Sequence, residues 1–148
     1  MNVHEIMIPI KRVFVESSVS EAAKLMDSKN IGSLLVEDKD LTLGIITERD
    51  ILTKIVARDI DPRKTPVREI MSNPLITIRP EQTIEEANLL IHTHKIRRVP
   101  VEREGKIIGI VTINGIARML KYSLGQSLRD KEINYYRPSY GKNIITEK

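Results

Sequence analysis

The stretch Gly44-Ile45-Ile46-Thr47-Glu48-Arg49-Asp50 recurs later in the chain as Gly109-Ile110-Val111-Thr112-Ile113-Asn114-Gly115. In both copies a glycine is followed by β-branched apolar residues, a composition that favours a buried strand. A threonine comes next, and threonine is a preferred residue at the position before a helix begins. Each copy therefore predicts a strand that turns directly into a helix, and the recurrence predicts a fold built from two similar units.

The sequence around this stretch is also duplicated. Val3-His4-Glu5-Ile6-Met7 returns as Val67-Arg68-Glu69-Ile70-Met71, and Val19-Ser20-Glu21-Ala22 returns as Ile84-Glu85-Glu86-Ala87. From the second pair onward the offset between the copies is constant and needs no gap, so that Ile31 falls on Ile96. Self-similarity at a fixed period indicates repeated supersecondary units, so we interpret the chain as a tandem repeat.

Each repeat predicts the order strand, helix, strand, strand, helix, which is an α+β fold. The first helix of each repeat is predicted from apolar residues at spacings of three and four, and the strands from short apolar runs that end in polar turns. The predicted strands span residues 13–15, 33–37 and 43–46 in the first repeat, and residues 75–78, 99–102 and 107–111 in the second.

The segment Asp59-Ile60-Asp61-Pro62-Arg63-Lys64-Thr65-Pro66 is polar, contains two prolines and predicts the connection between the repeats. We assign residues 1–61 to the first repeat, 62–121 to the second and 122–148 to a C-terminal tail. A unit of about 60 residues buries little surface alone, so the repeats are expected to pack together. For the tail, disorder, a helix near residues 124–133 and docking on a partner all remain open.

The composition excludes several classes of protein. Hydrophobic residues make up 41% of the chain and charged residues 30%, which is typical of a globular protein. Without cysteine there is no disulfide framework, thiolate nucleophile or thiolate metal site, and no apolar run approaches the length of a membrane span. We therefore expect a cytoplasmic protein. Abundant Ile, Lys, Glu and Arg without Cys or Trp resembles the composition of archaeal or thermophilic proteins.

These repeats resemble cystathionine β-synthase (CBS) domains, which occur in pairs called Bateman modules. The resemblance covers about residues 1–121 and depends on the order, spacing and duplication of its motifs. The motifs are the Val-x-Glu-Ile-Met that opens each repeat, Pro80-Glu81-Gln82-Thr83-Ile84-Glu85-Glu86-Ala87, Lys95-Ile96-Arg97-Arg98-Val99-Pro100-Val101 and Gly44-Ile45-Ile46-Thr47-Glu48-Arg49-Asp50.

The resemblance implies two small three-stranded sheets with helices, related by a pseudo-two-fold axis, with two clefts between the repeats. It also implies a homodimer and an adenine-bearing ligand, AMP, ADP or ATP, with S-adenosylmethionine and NAD as alternatives. We expect no attached enzyme, so that any regulated target would be a separate protein or be absent.

The motif Gly44-x-x-Thr47-x-x-Asp50 carries the predicted chemistry. The Thr47 hydroxyl and the free amides of the first helical turn suit a phosphate, and Asp50 suits the two hydroxyls of a ribose. Gly44 permits close approach of a ligand or a neighbouring strand. Thr-x-x-Asp is equally the pattern of a capping box, in which the acid binds the start of its own helix without any ligand. The second repeat keeps Thr112 but has Gly115 in place of the acid, so we expect one competent cleft.

Other ligand contacts are predicted by the family resemblance. Arg97 and Arg98 precede Pro100, where strand alternation sends one of them into the cleft to bind phosphate, as basic residues at these positions do in AMP-activated protein kinase. The alternative for each arginine is a solvent-facing side chain or a surface ion pair. Ser72, Ile76 and Ile96 are expected to complete the site, with core packing as the alternative for both isoleucines.

The remaining candidates predict no chemistry. His92 and His94 diverge on a helix and have no cysteine or acid to complete a metal set, and no catalytic constellation can be assembled. Two other functions remain open. One is a nucleic-acid-binding protein that uses the basic, tyrosine-bearing tail at residues 129–148, and the other is a purely structural dimerisation module.

Overall fold

The computed structural model describes residues 1–130 of the chain. It confirms the α+β class and the tandem repeat. The first repeat contains β1 (Arg12–Phe14), α1 (Val19–Lys29), β2 (Ser33–Asp38), β3 (Leu41–Thr47) and α2 (Glu48–Lys54), and the second contains α3 (Ile84–His94), β4 (Arg98–Arg103), β5 (Lys106–Thr112) and α4 (Ile113–Asp130). Short 3₁₀ turns cover Val3–Glu5, Val56–Arg58 and Val67–Glu69.

The first helix of each repeat begins and ends in the same way. Ser18 and Glu21 form a capping box at the start of α1, and Thr83 and Glu86 form one at the start of α3. A hydrogen bond from the Thr83 amide lowers the pKa of the Glu86 carboxyl, so at neutral pH this box holds its charged form. Both helices end at a residue in the left-handed conformation, which turns the chain back toward the sheet.

The two sheets differ at their third strand. In the first repeat β1 is parallel to β2, which is antiparallel to β3. In the second repeat β4 and β5 are antiparallel, but the predicted strand at residues 75–78 is wrong, because only Ile78 pairs, with Val101. The flanking hydrogen bonds of the first repeat use the amides of Val15 and Leu35. The equivalent positions of the second repeat are Pro80 and Pro100, which have no N–H to donate.

Each repeat has its own aliphatic core, and each core is completed by the opening segment of the other repeat. Val67 and Ile70, from the start of the second repeat, are buried in the cluster that contains Val19 and Leu34. Val3, from the start of the first repeat, is buried in the cluster of the second repeat. The Val3 amide donates to the Gln82 carbonyl, and the Val67 amide donates to the Ser17 carbonyl, both over 2.8 Å. The repeats therefore exchange their opening segments.

The exchanged segments also extend the sheets. Ile8 pairs with Ile110 of β5 through two hydrogen bonds of 2.9 Å, and Ser72 pairs with Ile45 of β3 through bonds of 2.8 and 3.1 Å. Arg12 adds a further contact between the repeats by donating from Nη2 to the Ile107 carbonyl over 2.8 Å. These hydrogen bonds join the two repeats along both sheets.

The structure describes only the first part of the predicted C-terminal tail, residues 122–148. Helix α4 continues beyond residue 121, the predicted end of the repeat, and is described as far as Asp130. Part of the helix foreseen near residues 124–133 is therefore the continuation of α4, while residues 131–148 lie outside the described range.

Candidate functional site

The corner between β3 and α2 holds the residues of the predicted ribose site. Thr47 ends the strand and is the N-cap of the helix. Its hydroxyl accepts from the Asp50 amide over 3.2 Å, while its own amide and hydroxyl lie 2.9 and 3.0 Å from Asp50 Oδ2. The capping box that the sequence left open as an alternative is therefore present here, and it occupies one carboxylate oxygen of Asp50.

The second carboxylate oxygen of Asp50 contacts a lysine. Lys54 Nζ lies 3.0 Å from Asp50 Oδ1, one helical turn on, and also donates to the Ile70 carbonyl over 2.9 Å. The Asp50 side chain is only 13% exposed. Sequence reasoning did not single out Lys54, although an acid followed four residues later by a base is a recognised helical pair and was the available signal.

Gly44 is required by the backbone of the second repeat. A Cβ at this position would lie 2.6 Å from the Ser72 carbonyl oxygen, closer than real contacts allow, and 3.0 Å from the side-chain sulfur of Met71. Gly109 has the corresponding place beside Ile8, where a Cβ would lie 3.0 Å from the carbonyl oxygen. Both glycines therefore admit an exchanged opening segment, and Ser72 pairs with Ile45, two residues before Thr47.

The corresponding corner of the second repeat has no carboxylate. Thr112 ends β5, and its hydroxyl accepts from the Gly115 amide over 3.0 Å. This reproduces the threonine half of the first corner without the acid. The difference between the repeats that was read from the sequence is therefore also a difference in hydrogen bonding at two otherwise similar corners.

Both arginines line a cavity of about 370 Å³ between the starts of α2 and α4. Strand alternation does not separate them, because β4 begins only at Arg98. Arg98 Nη2 lies 3.5 Å from Glu48 Oε1, and the Arg98 side chain is 22% exposed. Arg49, Glu48 and Thr112 line the same cavity, so three arginines and one carboxylate surround a space shared with the second corner.

The predicted residues therefore fall into two groups. Thr47 contacts Asp50, and Ser72 lies against Gly44 and Ile45 on the same strand, β3. Neither Thr47 nor Asp50 lines the arginine cavity. Arg97, Arg98 and Thr112 form the second group. Ile96 packs against the second core cluster, and Ile76 is half-buried.

The three histidines were not predicted to bind a metal ion. His92 and His94 are exposed at the end of α3, and His4 Nδ1 lies 3.1 Å from the Pro80 carbonyl oxygen. Across residues 1–130, no three His, Cys, Asp or Glu side chains gather in a way that would hold a metal ion.

Comparison with known proteins establishes the family. Residues 3–57 and 67–122 each match the CBS domain, so the chain belongs to the CBS-domain family and carries a pair of these domains. Such a pair is generally a regulatory module and often binds a nucleotide. The CBS domain-containing protein YhcV of Bacillus subtilis is 33% identical over 121 residues, which are 80% of this chain and 86% of that protein.

Solved structures show the same fold. A protein with CBS domains from Burkholderia ambifaria has a TM-score of 0.81 and 30% identity, covering 94% of this chain and 100% of that one. A hexameric CBS-CP12 protein from bloom-forming cyanobacteria has a TM-score of 0.75 and 28% identity, covering 88% and 83%.

The relatives come from diverse organisms. They include proteins of Methanopyrus kandleri and Arabidopsis thaliana besides those of bacteria, and this range does not support the archaeal or thermophilic source suggested by the composition. The chain spans about half the length of the Methanopyrus relative, with 53% of it aligned. Among the helices within residues 1–130, none combines the length and apolar character that a membrane crossing requires.

Proposed function

We propose that this chain is a regulatory module that binds an adenine nucleotide or a related adenosyl ligand between its two CBS repeats. The observation that carries the proposal is the difference between the two corners. The first corner holds a carboxylate, Asp50, that is hydrogen-bonded to Thr47 and 13% exposed, whereas the second corner has only Thr112. In this proposal Asp50 accepts hydrogen bonds from the ribose hydroxyls.

The phosphates are assigned to the arginines. Guanidinium groups form paired, charge-assisted hydrogen bonds with phosphate oxygens, and Arg97 and Arg98 line a cavity shared with Thr112. The Arg98–Glu48 ion pair is long, at 3.5 Å, and Glu48 is exposed. The ion pair that an incoming phosphate must displace from the Arg98 guanidinium is therefore weak. The ligands proposed are AMP, ADP and ATP, with S-adenosylmethionine and NAD as alternatives.

We also propose that the module forms a homodimer and acts on a separate regulated protein. Leu52, Val56 and Leu89 are 57, 62 and 66% exposed on the helices, and apolar side chains of this size favour association. The CBS-CP12 protein, whose fold is similar, is itself hexameric, and this supports oligomerisation here. The absence of catalysis and the cytoplasmic location expected from the sequence belong to the same proposal.

Asp50→Ala tests the ribose role. Loss of hydrogen bonds to a charged group is expected to weaken nucleotide binding by about 1.5 to 3 kcal/mol, measured by calorimetry with the nucleotide that most raises the melting temperature. Loss of the capping box is expected to lower folding stability by about 1 kcal/mol.

Glu86→Ala is the matched control, because it removes the same capping role from α3 away from the corner. It is expected to destabilise the fold similarly and to leave nucleotide affinity unchanged. Equal affinities for wild type and Asp50→Ala would reject the ribose role. A melting shift with a short oligonucleotide, lost on removal of residues 131–148, would favour nucleic-acid binding, and no shift with any ligand would favour a structural module.

A further inference from the structure

Lys54 holds two groups that belong to different repeats. Its Nζ contacts Asp50 Oδ1 on its own helix over 3.0 Å and donates to the carbonyl of Ile70, in the opening segment of the second repeat, over 2.9 Å. Ile70 is buried in the first core cluster, directly before the Met71–Ser72 backbone that lies against Gly44. One ammonium group therefore joins the proposed sugar acceptor to the exchanged segment beside it.

Asp50 has too few free acceptor positions for a ribose while Lys54 is bound. A carboxylate has about four lone-pair positions, and each sugar hydroxyl that donates needs one. Oδ2 is approached by both the amide and the hydroxyl of Thr47, and Oδ1 by Lys54. About one position remains, whereas the ribose diol presents two donors.

Lys54 is the partner most easily displaced. The Thr47 amide is fixed by the start of α2, and the Thr47 hydroxyl is half-buried in the capping box. The Lys54 side chain is 40% exposed, so its ammonium group can return to water when it leaves the carboxylate. A sugar diol that takes both positions on Oδ1 therefore displaces Lys54.

The second repeat lacks both members of this pair. At the equivalent positions, Gly115 replaces Asp50 and Met119 replaces Lys54. Where the acid is missing the lysine is missing too, as expected if the lysine acts only through the acid. Met119 also shows that an unbranched apolar side chain fits this position on the closing helix of a repeat.

We infer that Lys54 competes with the sugar diol for the Asp50 carboxylate. When a bound ligand displaces Lys54, the opening segment of the second repeat is affected as well. This inference rests on the proposed function, because it takes Asp50 as the sugar acceptor. Lys54 is thus a positioning residue that sets affinity and links the ligand to the contact between the repeats.

The test is the affinity of wild type and Lys54→Met for adenosine and 2′-deoxyadenosine, measured by calorimetry on the full chain. Adenosine carries no phosphate, so loss of a positive charge does not itself weaken its binding. Removing the competitor is expected to raise adenosine affinity about threefold to tenfold, the scale of one partly exposed charged hydrogen bond. The affinity for 2′-deoxyadenosine, with one ring hydroxyl fewer, is expected to change less than about twofold.

Lys24→Met is the matched control, because it removes one exposed positive charge from α1 without contacting Asp50. It is expected to leave both affinities unchanged. Unchanged or weaker adenosine binding by Lys54→Met, with binding by the wild type still lost in Asp50→Ala, would overturn the inference and leave the proposed function standing. If neither wild type nor Lys54→Met bound any adenosine compound, the proposed function would fail and the inference with it. Binding by Lys54→Met alone would support the inference most directly.

Discussion

At the scale of single residues, the strand glycines and Asp50 have structural roles at positions of the same motif that is proposed to bind the ligand. Gly44 admits the Ser72 backbone, and Asp50 caps α2 while it contacts Lys54, which itself reaches the Ile70 carbonyl of the admitted segment. The same short motif therefore holds the repeats together and forms the proposed sugar contact. Both roles of Asp50 fit its chemistry, because a carboxylate has several acceptor positions.

Gly44→Ala is expected to destabilise the fold by about 2 kcal/mol or more, because its Cβ would lie 2.6 Å from a backbone oxygen that cannot rotate away. Gly109→Ala is expected to cost less, since the corresponding distance is 3.0 Å. Urea unfolding measures both. The control is Gly125→Ala in α4, where no atom lies within 4 Å of the added Cβ, and a gain of about 1 kcal/mol is expected. Equal behaviour of Gly44→Ala and Gly125→Ala would contradict the close approach described here.

At the scale of elements, α2 and α4 begin alike but differ in their caps. Helix α2 has a complete capping box, whereas α4 has only the threonine half of the box. The glycine at the third position of α4 weakens that start, because glycine loses more backbone freedom in a helix than any other residue.

Gly115→Asp is expected to complete the box and to raise the melting temperature by about 3 °C, which corresponds to roughly 1 kcal/mol. Thermal unfolding followed by circular dichroism measures this change. Gly115→Ala is the matched control, since it removes the glycine without adding a carboxylate. Because alanine favours a helix more than aspartate does, a carboxylate that contributes nothing would leave Gly115→Asp clearly less stable than Gly115→Ala. In the proposed function, Gly115→Asp also adds a sugar acceptor to the second corner, so calorimetry is expected to show a raised stoichiometry.

At the scale of the whole molecule, the exchange of opening segments makes each core depend on both repeats. Val3 is fully buried in the second core cluster, and Val67 is fully buried in the first. A ligand that shifts one opening segment therefore acts on the packing between repeats, which is how local binding can bias a larger conformational equilibrium.

Val3→Ala is expected to cost about 2 kcal/mol and to be energetically coupled to Ile91→Val, which lies in the same cluster of the second repeat. It is expected to add independently, within about 0.5 kcal/mol, to Val19→Ala, in the core of its own repeat. Double-mutant cycles from urea unfolding measure both relations. Coupling of Val3 to Val19 rather than to Ile91 would contradict the exchange.

Much of the fold follows from local pattern alone. The duplicated motifs, the helical spacing and the threonine before each closing helix are sufficient to predict the repeat and the order of its elements, because capping and periodicity act over a few residues. The missing third strand of the second sheet was predictable in principle, since Pro80 and Pro100 lack the donors it needs. The carboxylate that distinguishes the two corners is likewise visible in the sequence.

Only the tertiary structure decided which repeat each opening segment completes, and that Asp50 binds Lys54 while Lys54 also reaches Ile70. It also placed the arginines around a cavity whose lining does not include Asp50. These contacts join residues of different repeats, and the physical reason they escape prediction is that the motifs are nearly the same in both copies. An opening segment fits either core by composition, and the choice is made by the packing and hydrogen bonds of the complete pair.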